Sequence, residues 1–521
     1  MLNVSAGWKA AHGEMLLPET FIEINYRISE PGLQESANIA VSGPEPFSSL
    51  PEAQNMTGEK YSTLEWNAWG LDGSFEYFDG TPNFPGYVTT AMSGADAAYS
   101  VYPAITLSFG SAHTAVIPGV TIYWSEAFDE WASSFKITVY NGASVVAQTV
   151  VADNKSTVST IWLEYQNFDK VVIEVLEWCL PHRRSRTMCI FAGIEATYRK
   201  TDLLGFSHSH NVDLLSASLP KSELTFQLDN SDDRWNPSNP KGVERYLTER
   251  QKVTLRYGMI VDGRTEWVNA DTLWLSEWNT PANGLSATFT ARDAVQFMEE
   301  TYNGPRSGSL YSVAEAAFRQ ISMDGGVVEY RIDDKLKSIQ CDFSGNSESE
   351  YTVSNILQMA AHAGCCVMYS DSNGVVHIES RKYVMSDYEI GQDISFSYPE
   401  FVMSKPLKAV SVSFGDKTVV VNAGSTGEVQ TVSNELIGSE AVAKSVADAA
   451  IGVLANRKTI TGEYRADPRL EPLDVVSVHN KYATNTVVIT DIVLSTTGGA
   501  LRGSYTGRVI DDGRNLFGIS T

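Results

Sequence analysis

Along most of the chain, apolar and polar residues alternate with the period of two that marks half-buried β-strands. In Phe21-Ile-Glu-Ile-Asn-Tyr-Arg-Ile28, residues Ile22, Ile24, Tyr26 and Ile28 share one face. The same alternation recurs at short spacing in Ile105–Phe109, Gly119–Trp124, Phe135–Tyr140, Val145–Val151, Thr160–Tyr165, Lys170–Trp178 and Met188–Tyr198. Asn141-Gly142 reads as the tight turn of a hairpin between two of these strands. Many short strands without intervening helices predict a β-sandwich or jelly roll over residues 58–198.

Further on the pattern continues in Leu224–Leu228, Lys252–Val261, Arg264–Val268, Thr272–Trp278 and Leu285–Ala291. Asp262-Gly263 and Asn283-Gly284 supply turns, so 199–300 reads as an antiparallel, barrel-like unit. The period changes to that of a helix in four places. Val4–Glu14 is a short candidate. Ser312-Val-Ala-Glu315 reads as a capping box before Val313, Ala317 and Ile321. Thr352–Ala363 places Val353, Ile356, Leu357, Ala360 and Ala361 on one stripe and ends at Gly364. Ser439–Arg457 aligns Val442, Val446, Ala450, Val453 and Leu454. A hairpin, Cys365–Tyr369 to Val375–Glu379, turns at Asn373-Gly374. The expected organisation is mainly β. Residues 1–57 hold a helix, a first strand and a Pro/Ser/Gly-rich connection, and 58–198 hold the sandwich. A barrel-like unit follows over 199–300, a small α+β module over 301–385, and β structure around one helix over 386–521.

Composition narrows the function. A 521-residue chain with 43% hydrophobic and 20% charged residues forms cores throughout, in several domains at about 150 residues each. Its net charge of -24 repels phosphate backbones and disfavours nucleic acid as a partner. Five cysteines without a Cys-x-x-Cys pair fit neither a zinc ribbon nor a disulfide framework, and suggest synthesis in a reducing cytoplasm. The first residues lack the basic and apolar regions of a signal peptide, and no apolar run is long enough to span a bilayer.

Candidate chemistry is sparse. His208 and His210, two apart on one strand face, have the spacing of a metal pair with Asp213 as a third ligand. The His-x-His-x-Asp-His spacing of metallo-hydrolases is absent, so the expectation is polar strand residues and no metal or cofactor. Asp229, Ser231 and Asp233 copy the start of a calcium loop, but Arg234 and Pro240 break it, leaving an Asx-turn cluster. Glu299 with Glu300, and Glu348 with Glu350, are carboxylate pairs of the kind glycoside hydrolysis uses, in a chain where surface carboxylates are abundant. Six of eleven tryptophans fall in 58–198: Trp66, Trp69, Trp124, Trp131, Trp162 and Trp178. Indole stacks on the C–H face of a sugar while Asp and Asn bind its hydroxyls. About two-thirds of these rings are expected in the core. Those in polar loops are the carbohydrate candidates: Trp69 with Asp72, the loop carrying Tyr77, Asp79 and Asn83, and Trp131. The basic run His182-Arg-Arg-Ser-Arg186, with Arg183 and Arg184, is a candidate contact for an anionic polymer or an acidic neighbour.

Three stretches resemble phage tail proteins. Leu228-Asp-Asn-Ser-Asp-Asp-Arg-Trp-Asn-Pro-Ser-Asn-Pro240 is similar to a Leu-Asp-Asn-x-Asp-Gly-Arg-[Phe/Tyr]-x-Pro-x-Asn-Pro motif of tail-tip and baseplate proteins from phages of Gram-positive hosts. Here Asp233 replaces the usual glycine and Trp235 the usual Phe or Tyr. Tyr464 to Val478, with Gly498 to Gly503, resembles the last barrel of tail hub proteins. Tyr61 to Ser74 resembles the entry of a galactose-binding-like, discoidin-type jelly roll. The resemblance implies a hub-like β-barrel scaffold with an inserted jelly roll, non-enzymatic, assembled in the host cytoplasm and located in the virion. It also implies a homo-oligomer, a trimer by family habit, beside other tail or baseplate proteins, with host cell-wall carbohydrate as ligand of the jelly roll. The rival reading is a tail-associated cell-wall-degrading hydrolase. A free carbohydrate-binding protein would leave residues 200–521 unexplained.

Overall fold

A computed structural model of the chain describes residues 1–14, 20–34, 36–42, 60–61, 63, 65–66, 68, 75–76, 86–261, 263–280, 284–323, 326–345, 350–380, 383, 385–497 and 500–510. The fold is mainly β, with four α-helices among these residues. It divides into two compact units. The scaffold unit comprises Met1–Asn25, Thr197–Gly242 and Lys252–Thr521; the sandwich unit comprises Tyr26–Ala196 and Val243–Gln251. The strands Thr20–Ile28 and Ile194–Arg199 carry the chain from one unit to the other and back.

In the sandwich unit a five-stranded antiparallel sheet runs in the order Ala37–Ser42, Ala104–His113, Phe168–Trp178, Ala132–Asn141, Ser144–Val151. A three-stranded sheet runs Val158–Tyr165, Ile117–Tyr123, Cys189–Phe191. Their alternating positions bury one core: Leu107, Phe135, Ile137, Val139, Val171 and Ile173 from the first sheet meet Ile117, Val120, Ile122 and Ile190 from the second. The strand Ala37–Ser42 was not expected; its region reads as connection because Pro and Ser crowd around it. Asn141 pairs with Ser144, so the hairpin turn is Gly142-Ala143, one residue later than the Asn-Gly signal suggests, with Gly142 at φ +57°.

The scaffold unit is built on one long sheet. From the entry strands it continues through Lys252–Val261, Arg264–Asn279, Ser286–Arg292, Lys221–Asp229, Leu203–Asn211, Thr484–Thr497, Ala500–Ile510 and Lys458–Arg465 to the outer strand Glu400–Met403. Val261 pairs with Arg264 across a two-residue turn in which Gly263 adopts φ +78°. Asp262 and Asn283, the first residues of two expected turns, lie outside the described residues.

The motif Leu228–Pro240 is a chain of turns: Asp233 N, Asn236 N, Asn239 N and Gly242 N each donate to the carbonyl three residues back. Asp233 takes φ +57°, the left-handed region that the glycine of the related motif would occupy without strain. Trp235 is buried edge-on against Phe289, 5.0 Å between centroids, and its backbone N–H donates to Asn230 Oδ1 at 2.8 Å. The apolar ring pins the polar turn to the sheet.

Beyond residue 300, helices Leu310–Gln320, Val353–Ala363 and Glu440–Leu454 share one core with the hairpin Cys366–Ser370/Val376–Ser380 and the sheet of Leu407–Phe414, Lys417–Asn422 and Glu428–Ser433. The expected stripe Val353, Ile356, Leu357, Ala360 and Ala361 is buried in it. One cap departs from expectation. Ser309, not Ser312, caps Leu310–Gln320 by accepting from Ser312 N, because Leu310 already joins the core and draws the helix start three residues earlier. Thr352 with Asn355 forms the capping box of the next helix.

Candidate functional site

Among the described residues, each unit buries a polar cluster that includes residues the sequence singled out. In the scaffold unit, His208 and His210 project from the same face of Leu203–Asn211, as residues two apart on a strand must. Asp271 comes to them from Arg264–Asn279. Leu255 pairs with Asp271 but Arg256 with Asn269, so Ala270 is the extra residue of a β-bulge, and the bulge aims Asp271. The three strand-borne side chains converge: His208 Nε2 and His210 Nε2 are 2.7 Å apart, and each lies 3.2 Å from Asp271 Oδ2. Asp271 and His208 are buried; the His210 side chain is 17% exposed, which leaves the cluster one narrow face toward solvent.

A second layer holds these groups. His208 Nδ1 lies 3.2 Å from Tyr257 Oη. Asp271 Oδ1 accepts from Thr272 N at 2.8 Å, and Oδ2 accepts from Ser222 Oγ. Ser222 N donates to the buried Asp293. Burial pushes the Asp293 carboxyl up to about 7 against its bond from Ser222. Burial would raise the Asp271 carboxyl as well, but the bonds from His208 and His210 hold it down to about 2. Burial also pushes His208 down to about 4, whereas the bond to Asp271 raises His210. Among the described residues, His208, His210 and Asp271 are the group of three whose donor atoms converge closely enough to hold one metal ion.

Asp213 is not the third member. Its carboxylate accepts from Leu215 N at 2.8 Å and Ser218 N at 3.0 Å, closing the turn that follows the histidine strand. The sequence pointed to the histidines; their carboxylate lies more than sixty positions away, on a strand separated from theirs by two others in the sheet order.

In the sandwich unit the basic run enters the short strand Arg184–Thr187, paired with Tyr87–Met92. Arg183 and Arg186 are buried. Arg183 Nε lies 2.9 Å from Glu130 Oε1; Arg186 binds Glu65 through both Nη atoms and also approaches Glu130 Oε2 at 3.6 Å. The Arg186 guanidinium lies 4.2 Å above the Phe128 ring. Glu130 additionally accepts from Trp178 Nε1 at 2.8 Å. Burial raises the Glu130 carboxyl, while Arg186 outweighs burial at Glu65 and lowers it. Arg184 donates to the carbonyls of Thr89 and Thr90. Trp131 is half-buried with its indole N–H on Asn154 O at 2.8 Å.

Trp69, Asp72, Tyr77, Asp79 and Asn83 lie outside the described residues. Trp124 and Trp178 are core. Trp66 and Trp162, which loop context does not single out, are 67% and 55% exposed, and Trp66 lies 5.2 Å from the His182 ring. Glu299, Glu300 and Glu350 are exposed; Glu348 lies outside the described residues.

No family model and no curated protein sequence matches this chain. Solved structures are similar to part of it. A 43 kDa tail protein of prophage MuSo2 from Shewanella oneidensis is 11% identical, with a TM-score of 0.41, over 62% of this chain and 97% of its own. A tail protein from Neisseria meningitidis is 9% identical, TM-score 0.40, over 62% and 95%. A prophage tail protein from Listeria monocytogenes is 11% identical, TM-score 0.37, over 62% and 94%.

Proposed function

We propose that this protein is a non-enzymatic structural component of a phage or phage-like tail tip or baseplate. Its scaffold forms an oligomeric hub, threefold by the family resemblance, beside other tail proteins, and its sandwich unit binds host-surface carbohydrate. The observation that carries this reading is the outer strand Glu400–Met403. Among the described residues it pairs with Lys458–Arg465 on one side and ends the sheet order on the other. All four of its residues are exposed, and Phe401, Val402 and Met403 follow the exposed Phe396 and Tyr398. A sheet edge that presents unpaired backbone groups and large apolar side chains together is an aggregation hazard in a monomer. Burial against a second chain in a closed ring removes the hazard.

Imaging and sedimentation of the full chain test this. The expected result is a ring with a central opening; Val402→Glu with Met403→Glu shifts it toward monomer. A wild-type protein that stays monomeric at micromolar concentration, and is absent from tail particles, overturns the reading.

For the carbohydrate part, the candidates are Trp66, Trp131 and Arg184, with Trp69, Asp72, Tyr77, Asp79 and Asn83; Arg183, expected among them, is buried on Glu130 instead. Support comes from the exposed Trp66 ring beside His182, an apolar face next to hydrogen-bonding groups. Binding of the full chain to purified host cell-wall polysaccharide, lost in Trp66→Ala, is the expected outcome. Release of soluble fragments from that polysaccharide would instead define a cell-wall hydrolase.

A further inference from the structure

We propose that His208, His210 and Asp271 bind one divalent transition-metal ion, zinc foremost, which ties the strand Leu203–Asn211 to the strand Arg264–Asn279 inside the scaffold. The spacing of the donor atoms carries the argument. Zinc with nitrogen and oxygen ligands at about 2.0–2.1 Å in tetrahedral geometry separates those ligands by about 3.3 Å. The two Nε2–Oδ2 separations are 3.2 Å and the Nε2–Nε2 separation is 2.7 Å. A small outward movement of His210 opens the triangle to those dimensions.

With Asp271 ionised, protons alone do not satisfy this triangle. Each Nε2 carries either a hydrogen or a lone pair. If both carry hydrogens, two N–H groups collide across 2.7 Å. If one carries a hydrogen, it must serve both the other imidazole and Asp271, and the bare Nε2 faces the carboxylate lone pairs at 3.2 Å. If neither does, three lone pairs point at one another. A cation at the centre turns all three into ligands.

The surrounding groups are those a metal site requires. A histidine that binds metal through Nε2 keeps its proton on Nδ1, and His208 Nδ1 has the buried Tyr257 hydroxyl to receive it. The ligating carboxylate is fixed through Oδ1 by Thr272 N, and its ligating Oδ2 also accepts from Ser222 Oγ. Two imidazoles and one carboxylate leave a fourth position, toward the exposed side of His210, for water or a ligand from solution. Calcium and magnesium prefer six or more oxygens and do not suit this donor set.

The test uses the full chain, equilibrated with zinc and freed of excess by gel filtration, with zinc measured by plasma emission. One zinc per chain is expected in the wild type and in His479→Gln, and a trace in His210→Gln and Asp271→Asn. Cobalt(II) bound by wild-type protein should give the intense visible bands of tetrahedral coordination, a readout that needs no variant to fold. Ser222→Ala keeps all three ligands and should weaken zinc binding about 10-fold or more. Wild-type protein that retains no zinc and gives no such bands overturns the proposal, as does zinc retained undiminished in His210→Gln and Asp271→Asn.

Discussion

The arginine–glutamate cluster of the sandwich unit and the histidine–aspartate cluster of the scaffold unit are both buried and polar, and they differ in how far they are finished. In the sandwich unit two arginines face two glutamates: Arg183 has Glu130, and Arg186 has Glu65 with Glu130 beyond. Charge is balanced, every ion has a partner of opposite sign, and the planar guanidinium fits the carboxylate at two points. Among the described residues its charges close on one another. In the scaffold unit three donor atoms point at one place, and with Asp271 ionised no arrangement of imidazole protons satisfies them. Buried polar groups are tolerated when paired and costly when not, so the first cluster is architecture and the second is a site.

The largest expected effect is on the finished cluster. Glu65→Ala leaves Arg186 buried without its main partner and should destabilise the protein by about 3–5 kcal/mol in urea unfolding. Replacing Glu65 and Arg186 together by apolar residues of similar volume should restore much of that loss, because the cost lies in the stranded charge rather than in losing the pair. If the single and double variants are equally unstable, the cluster is not self-contained.

The second effect is on the unfinished cluster. An ion that binds the folded chain alone adds about 2.7 kcal/mol at a hundredfold excess over its Kd. Zinc should therefore raise the wild-type Tm, a chelator should reverse the rise, and Glu65→Ala should keep it. Asp271→Asn should abolish it.

A third cluster gives a smaller, pH-dependent effect. His377 lies between Asp371 at 3.0 Å and Glu379 at 3.1 Å. Burial opposes its charge, but the two carboxylates raise its pKa above the ordinary 6.5. The sign follows: its contribution is full below pH 6.5 and is lost as pH rises through the higher folded value. Stability against urea should fall over that rise in the wild type, and the fall should be shallower in His377→Gln. The smallest effect is expected at Trp162, which is 55% exposed: Trp162→Ala should change stability by no more than about 0.5 kcal/mol. The same substitution at the buried Trp124, whose indole N–H bonds Ser159 Oγ, should cost about 3–5 kcal/mol.

Much of the architecture was legible because it follows from local rules. Alternation located the long strands, apolar stripes located the helices within Thr352–Ala363 and Ser439–Arg457, and the polar turn after Leu228 was readable from its Asp, Asn and Pro residues. Where local rules misled, another force had won. The strand Ala37–Ser42 forms because Ala104–His113 offers it an edge, in spite of its turn-rich surroundings. Arg183 and Arg186 look like a basic surface in one dimension and are buried beside Glu65 and Glu130 in three. Trp66 and Trp162 could be told from the core tryptophans only once their exposure was known.

By itself the sequence determined that the chain is mainly β, which segments form its helices, and that His208 and His210 share a face, since each depends on residues within a few positions. Tertiary structure alone decided that Asp271 joins them. That meeting needs a bulge at Ala270 and a sheet that brings strands distant in its order to one face. Sheet pairing is set by burial summed over many residues, and no short window of sequence contains it.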